Sequence, residues 1–467
     1  DQWKRTIRAM RTIHGSSIDD DALLRFSEFN AVQRASKTIC EIAACVAAAD
    51  GGAEPAQEDL DEMFARALLL FGNGQLFATI RGGLVNPHLK ISPAGDLLSD
   101  RSVFEKTFIP SSKRANAKAL DEASESYAER FNEPVEPSSD KLQWSQEFKD
   151  AVSAEYKCSP EAAVDLQVAI IDICVARNSG ILVMKRSELV GAITSDEQFP
   201  DRNVDGLLDR FSLPRRDDWN AKPSTYSARD LELWRFDRKY SLINRPILQL
   251  TSDADPLLLI SPMFVSDGTM YQLGGMHFAT VHNDDFWESR EAKAYAGKRA
   301  KQIGAEFEDE VADVLKNAGF DAKPRQKVTG LLQESTDIDF GDVDVFAISF
   351  SRSDVFVIEA KNLKLCRTEA EVTARMSDYA GNMVEDSKGK QRPDKLLKHL
   401  RRVAYLREKA DLLAARLGLP VTPRVHGLMV VDAPQPMNFY MLEEKPDARS
   451  CTLDDLVETI QSLAEPV

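Results

Sequence analysis

Two segments hold the residue types best suited to chemistry: Gly341-Asp342-Val343-Asp344-Val345-Phe346, and Val355-Phe356-Val357-Ile358-Glu359-Ala360-Lys361-Asn362. Both read as strands, in which alternate side chains share a face. Val357, Glu359 and Lys361 then point one way, and Phe356, Ile358 and Ala360 the other. Asp342, Asp344 and Phe346 share a face of their own strand. Antiparallel pairing through a turn near Ser351–Asp354 sets Asp344 beside Glu359. Two carboxylates and an amine at one point are costly without a reason, because an unpaired buried charge costs roughly several kcal/mol. A hard divalent cation supplies that reason, since Mg²⁺ prefers carboxylate oxygen and water. Such an ion polarises a phosphoryl oxygen and acidifies a bound water. A neighbouring lysine orients that water or stabilises charge growing on the phosphate. The chemistry that follows is phosphodiester hydrolysis by an in-line water. The plain alternative is an ion pair at a strand end.

An Asp on one strand, followed by Glu-x-Lys on the next, resembles the PD-(D/E)XK, or restriction-endonuclease-like, superfamily. Upstream, Gly304-Ala305-Glu306-Phe307-Glu308-Asp309-Glu310-Val311 resembles the first helix of its Mrr-like members. Independently, Phe307, Val311, Val314 and Leu315 form an apolar helical stripe, and Glu308 flanks it. The resemblance covers residues 295–467 and implies an α/β domain with a mixed central sheet flanked by helices. It implies Mg²⁺- or Mn²⁺-dependent cleavage of DNA. Asp344 and Glu359 would be metal ligands, Ala360 would lend its backbone carbonyl, Lys361 would be the catalytic lysine, and Glu308 would face the metal. Asp337, Asp339 and Asp342 remain alternative first ligands. The Gln-x-x-x-Tyr signature of RecB-like members is missing after Lys361.

The most basic stretch is Lys388, Lys390, Arg392, Lys395, Lys398, Arg401, Arg402 and Arg407. On a helix starting at Asp394, the side chains of Lys395, Lys398 and Arg402 fall roughly on one face. Leu396, Leu400 and Val403 fall on another. The basic face is a candidate phosphate-backbone contact, and a solvated helix face is an equally weighted reading. His399 and His426 read as structural.

The elements that must position these residues follow from periodicity. A helix over Phe286–Ala300 continues into Gly304–Ala318 and ends at Asn317-Ala318-Gly319-Phe320. Strands at Val343–Phe350 and Val355–Ala360 precede a helical stretch at Glu369–Glu385. A loop with Gly389 and Pro393 leads to a helix over Asp394–Leu417. Val425–Val431 reads as a buried strand, Phe439–Leu442 as strand-like, and Thr452–Leu463 as a helix. This alternation fits an α/β sandwich, and Tyr295–Val467 is expected to fold alone.

Upstream, residues 1–135 read as a mainly helical domain. Trp3, Ile7 and Met10 recur at helical spacing. Leu60, Met63, Phe64, Leu68 and Leu69 do the same, with Gly72 ending the run and an extended stretch over Gln75–Leu89. Asn132–Asp140 reads as a linker. Residues 141–290 read as helices plus a small mixed α/β unit with a regulatory or sensing role. Ser159-Pro160-Glu161 is a helix start. Ser187–Ile193 and Asn203–Phe211 read as short helices packed on the one before, with a helix-turn-helix as the lesser alternative. Ile247–Leu250, Leu257–Val265 and Thr269–Leu273 read as strands, with Ser266-Asp267-Gly268 as a turn.

A chain of 467 residues exceeds the roughly 100–200 of one domain. It carries a net charge of −16, which excludes coating nucleic acid through global charge. A DNA partner needs a local basic surface and metal ions. The 6 cysteines form no C-x-x-C pair, which excludes a zinc framework and fits a reducing cytoplasm. No apolar run reaches the roughly 20 residues of a bilayer span, so no membrane partner is expected. The first residue is Asp1, and a longer parent protein is expected. The function expected is a DNA-cleaving, metal-dependent endonuclease in bacterial defence against foreign DNA. The rivals are a catalytically silent scaffold with the same fold and a structure-specific repair nuclease. Homo-oligomerisation stays open.

Overall fold

A computed structural model describes residues 20–49, 51–82, 89–95, 97–98, 100, 102–118, 144–195, 203–224, 226–236, 238–281, 286–334, 338–349, 353–385, 389–444 and 449–464. Trp3, Ile7, Met10, the Asn132–Asp140 linker, Asp337, Lys388 and the tip of the turn at Ser351 lie outside them. In chain order the helices are α1 (Asp20–Val46), α2 (Gln57–Arg81), α3 (Ser102–Lys106), α4 (Gln146–Tyr156), α5 (Pro160–Ala176), α6 (Arg186–Thr194), α7 (Val204–Phe211) and α8 (Pro262–His277). They continue with α9 (Arg290–Asn317), α10 (Val328–Leu332), α11 (Glu369–Asp378), α12 (Lys395–Glu408), α13 (Ala410–Leu417), α14 (Met437–Glu444) and α15 (Leu456–Ala464). The strands are β1 (Lys90–Ile91), β2 (Leu97–Leu98), β3 (Leu182–Lys185), β4 (Ser212–Leu213), β5 (Ile247–Gln249), β6 (Leu257–Ile260) and β7 (Asp321–Lys327). After them come β8 (Asp342–Ser349), β9 (Asp354–Lys361), β10 (Met383–Glu385), β11 (Gln391–Pro393), β12 (Arg424–Val431) and β13 (Arg449–Thr452). The chain is thus mixed α/β. It divides into two compact units, residues 1–74 with 126–301, and residues 75–125 with 302–467. Three regions were expected, and residues 75–125 now group with the C-terminal one.

The second unit is built on a mixed five-stranded sheet in the order β13-β12-β9-β8-β7. β7, β8 and β9 run antiparallel, while β9, β12 and β13 run parallel. β9 is central and buried up to Ala360, as its apolar run Val355–Ile358 demands. Its alternation is the one anticipated. Phe356, Ile358 and Ala360 join Phe307, Val311 and Leu315 of α9 in one core. Val355 and Val357 join Val403 and Leu406 of α12 and Leu413 of α13 in another. The sheet therefore has helices on both faces.

β7 was not anticipated, because Asp321–Lys327 alternates charged and small residues around Pro324. Proline belongs on edge strands, and β7 is the last in the sheet order. Phe439–Leu442 is corrected from strand to helix α14, and the strand is β13. The helical stretch from Glu369 stops at Asp378, and Met383–Glu385 pairs with Gln391–Pro393 as a hairpin.

The first unit has a four-stranded sheet in the order β3-β6-β5-β4. Leu189 and Ile193 of α6 and Leu207, Leu208 and Phe211 of α7 share one core with Leu166 and Ile170 of α5. The two short helices thus pack on the longer one before them. Thr269–Leu273 is corrected from strand to part of α8, and β6 ends at Ile260. Ser261-Pro262 starts that helix, with proline in its first turn, where its missing N–H costs nothing.

Helix α2 corrects two further expectations. It runs through Gly72 to Arg81, so Gln75–Arg81 is helical. It is also long and apolar enough, by length and composition alone, to cross a membrane. Gly74 has a packing reason, since a Cβ there would meet the Trp234 ring at 2.2 Å.

Residues 75–125 contribute to the second unit's core. Phe104 packs on Val372 and Met376 of α11. Gln75 Oε1 accepts from the Ala370 N–H at 2.7 Å, and Arg114 pairs with Asp455 at 2.7 Å. Phe104→Ala should therefore destabilise this unit by about 3 kcal/mol or more, read as a lower urea midpoint. An unchanged midpoint would show that Tyr295–Val467 carries its own core, as the sequence suggested.

Candidate active site

The β8–β9 register runs from Val345 opposite Ile358 to Ser349 opposite Asp354, which brings Asp344 and Glu359 together at one end of the pair. Lys361 Nζ lies 2.6 Å from Asp344 Oδ2 and 2.9 Å from Glu359 Oε1. The Ala360 N–H donates to the same Asp344 oxygen at 3.0 Å. Two carboxylates thus bracket one positive centre. The site stands at the C-terminal end of β9, the customary place for ligands where strands run parallel.

Sequence reasoning missed the other half of the site. Helix α12 is capped by Asp394, whose side chain accepts from the Leu397 N–H at 2.7 Å and from the Asn382 N–H at 2.8 Å. Its buried stripe is Leu396, His399, Arg402, Val403 and Leu406. Arg402 Nη1 donates to Glu359 Oε2 at 2.7 Å, and its Nε donates to the Phe340 carbonyl at 3.0 Å. Arg402 therefore sits in the site and not on an outer face with Lys395 and Lys398. Those two lysines are exposed, and Lys395 pairs with Asp378 at 2.7 Å. The spacing of His399 and Arg402, in phase with Leu396 and Leu406, was the available signal. His399 Nδ1 lies 3.8 Å from Glu359 Oε2, and neither ring nitrogen has a hydrogen-bond partner.

Glu308, on α9, pairs with Arg325 at 3.2 Å. Burial raises its carboxyl above the ordinary range, and the charges of Arg325 and Lys361 oppose that. Asp342 is exposed and Asp339 accepts from the Gly341 N–H at 2.9 Å; neither pairs with Lys361. Asp432, unremarked in the sequence, follows β12 and accepts from the Leu363 N–H at 2.8 Å, holding the chain just after Lys361. His426 and Arg424 both bind the fully buried Asp354, at the start of β9.

The electrostatics separate the two carboxylates. Burial and the Glu359 charge push Asp344 up. Burial also pushes Glu359 upward, but the Lys361 and Arg402 cations outweigh it and hold Glu359 well below its ordinary range. Lys361 is held far above its ordinary value, because its two carboxylates overcome burial. Burial pushes His399 down to about 4, so it is neutral near pH 7 and is no ion-pair partner. Among the described residues, no group of three or more His, Cys, Asp or Glu side chains forms a metal-sized cluster.

His399 gives a pH signature. The folded chain keeps it neutral down to about 4, while the unfolded chain protonates it near the ordinary 6.5. The unfolded state then binds more protons, so this stability is full above about pH 6.5 and is lost as pH falls towards 4. The loss is on the order of 3 kcal/mol. Urea unfolding at pH 7 and pH 4.5 should show a smaller drop for His399→Leu than for the native chain. Equal drops would mean that His399 is solvated when folded.

Comparison with known proteins adds a family. Residues 1–457 match the family model described as "Anti-phage protein Upx-like", and the chain belongs to that family. The match includes the first 290 residues, in which the sequence alone suggested no relative. No curated protein and no solved structure matches the chain.

Proposed function

We propose that this member of the Upx-like anti-phage family serves phage defence as a metal-dependent nuclease of the PD-(D/E)XK type, hydrolysing DNA phosphodiester bonds. One observation carries the reading. Asp344 and Glu359 come from neighbouring strands and converge on the same ammonium, Lys361. This is the Asp, Glu-x-Lys pattern of the superfamily, brought together in space.

The donor set fits a hard cation of the Mg²⁺ or Mn²⁺ kind. Two carboxylates already bracket a positive charge, and a small ligand set suits an ion that keeps several of its waters. Asp344 and Glu359 would hold it, with the Ala360 carbonyl beside them. When bound, such an ion polarises a phosphoryl oxygen and acidifies a water. The chain's own groups do the rest. Arg402 keeps Glu359 ionised and fixes one of its oxygens. Lys361, protonated and without acceptor capacity, offers its N–H groups to charge developing on the phosphate. Glu308, held by Arg325, faces the same point from α9.

A second reading has an observation of its own. Both Glu359 oxygens already have cationic partners, Lys361 and Arg402, as a catalytically silent scaffold would also show. The experiment that separates the two is cleavage of plasmid and linear duplex with Mg²⁺ or Mn²⁺. Lys361→Ala should lose about 10²–10³ in rate while calorimetry shows metal still bound. Glu359→Ala and Asp344→Ala should lose both, and Asp342→Ala neither. Loss of cleavage should travel with loss of protection in a phage plating assay. A Lys361→Ala chain that cuts normally, or variants that protect fully without cutting, would return the chain to the scaffold reading.

The exposed pair Lys395 and Lys398 is the remaining candidate for duplex contact. Removing both should flatten the salt dependence of DNA affinity by about 0.9 in log–log slope for each phosphate that these lysines neutralise. An unchanged slope would assign them to the solvated face.

A further inference from the structure

Beside the carboxylates lies a second feature that the proposed reaction does not use. A cavity of 390 Å³ opens where β7 passes into α10 and the chain enters β8. Lys327, Thr329, Asp339, Phe340, Gly341 and Asp342 line it. Its size is that of a small-molecule site, which runs from about 300 to 1,000 Å³.

We infer that this cavity is a subsite for one unpaired, amino-bearing base of the strand whose phosphate reaches Asp344 and Glu359. The identity of that strand rests on the nuclease reading; the cavity's preference rests on its own lining.

The cavity and the carboxylates share a wall. Arg402 donates to the carbonyl of Phe340, a lining residue, at 3.0 Å and to Glu359 at 2.7 Å. A Cβ on Gly341 would come within 3.5 Å of Arg402 Nη2, so the guanidinium lies against the cavity edge. Gly341 also has a φ of +71°, a conformation that favours glycine. Asp342 precedes Asp344 by two strand residues, so both side chains take the same face, about 7 Å apart along the strand. A base in the cavity and a phosphate at Asp344 are therefore within one or two nucleotides of each other.

The lining selects against a phosphate and for a base edge. It holds two carboxylates, Asp339 and Asp342, against one ammonium, Lys327. Lys327 and Asp342 stand opposite each other in the β7–β8 ladder, yet among the described residues neither makes an ion pair with the other. Each keeps its bonding capacity for a ligand. A carboxylate accepts from an exocyclic amino group, the pairing by which Asp and Glu read cytosine N4. A nearby ammonium donates to the ring nitrogen or carbonyl next to that amine. Cytosine presents that donor and acceptor side by side. Thymine has no amino group and presents two carbonyls flanking a single N–H. A base stacked in a duplex cannot enter a concave site, so the base is unpaired or turned out of its helix.

The test uses the full chain in chelator, so that no strand is cut, and reads fluorescence anisotropy with labelled twelve-nucleotide dC and dT strands. The native chain should bind the dC strand about tenfold more tightly than the dT strand, as one well-formed base contact implies. Thr329→Trp, at an exposed lining position, should fill the cavity and erase both the preference and about tenfold of the dC affinity. Lys327→Ala, also exposed, should reduce the preference without filling anything. Equal binding of dC and dT, full dC affinity in Thr329→Trp, or no strand binding by the native chain overturns the subsite. A parallel cleavage assay with Mg²⁺ or Mn²⁺ keeps the two ideas apart. Cavity-dependent binding with no cleavage supports the subsite and removes the nuclease. Cleavage with cavity-independent binding does the reverse.

Discussion

Everything at the candidate site depends on one ammonium held between two carboxylates. Lys361 touches Asp344 and Glu359 at once, and it does so at the end of a strand buried on both faces. A charge placed there is tolerated only while its partners are in place, because breaking a buried pair leaves an uncompensated ion and costs about 3–5 kcal/mol. The second cation, Arg402, completes the balance at two negative and two positive groups. The β8–β9 register is then not free to vary. A slip of one residue would turn Asp344 to the other face and bury an acid among Phe307, Val311 and Leu315.

The balance ties distant parts of the chain to the sheet. Arg402 comes from α12, whose start is fixed by Asp394 and whose stripe packs on Val355 and Val357. Tyr405, one turn on, stacks on Phe340 with ring centroids 4.3 Å apart. Phe340 in turn gives its carbonyl to Arg402. The helix, the chain entering β8 and the end of β9 therefore hold one another, and a shift of any one is felt at Glu359. His399 lies in the same stripe with both ring nitrogens unpartnered. A buried histidine with no hydrogen bond is an uneven element in an otherwise satisfied interface, and it makes this contact sensitive to acid.

What could be read from the sequence was what local alternation decides. The period of two in β8 and β9 was enough to place Asp344, Glu359 and Lys361 on shared faces and Phe356 and Ile358 opposite them. Glu308 was legible from the stripe of its helix. Arg402 and His399 were not, because a basic run invites reading as a solvated face; only their phase with Leu396 and Leu406 marks them as inward. β7 escaped because an edge strand can be charged and can hold a proline, so its signal is pairing and not composition. Thr269–Leu273 was misread for the opposite reason. Ser266-Asp267-Gly268 resembles a turn, but Ser261-Pro262 had already started a helix, and that helix buries Val265, Leu273 and Met276 at helical spacing. Residues 75–125 could not be assigned locally, since Phe104 finds Val372 and Met376 only after the chain has returned from far away in sequence.

The charge distribution finally constrains how such a chain would hold a polyanion. Its net charge is −16, and the most basic stretch is partly spent internally: Arg402 on Glu359, Lys395 on Asp378, Arg407 on the Val425 carbonyl. Few cations are left to neutralise phosphates, and each one fewer removes about 0.9 from the salt slope and its share of non-specific affinity. A nucleic-acid strand bound here cannot be held by backbone charge alone. Contacts to bases, which carry no net charge and are not repelled by an acidic surface, are the physical means left. Such contacts need a concave polar lining close to the reacting point. The cavity at Lys327, Asp339 and Asp342 supplies one, separated from Glu359 by a single guanidinium.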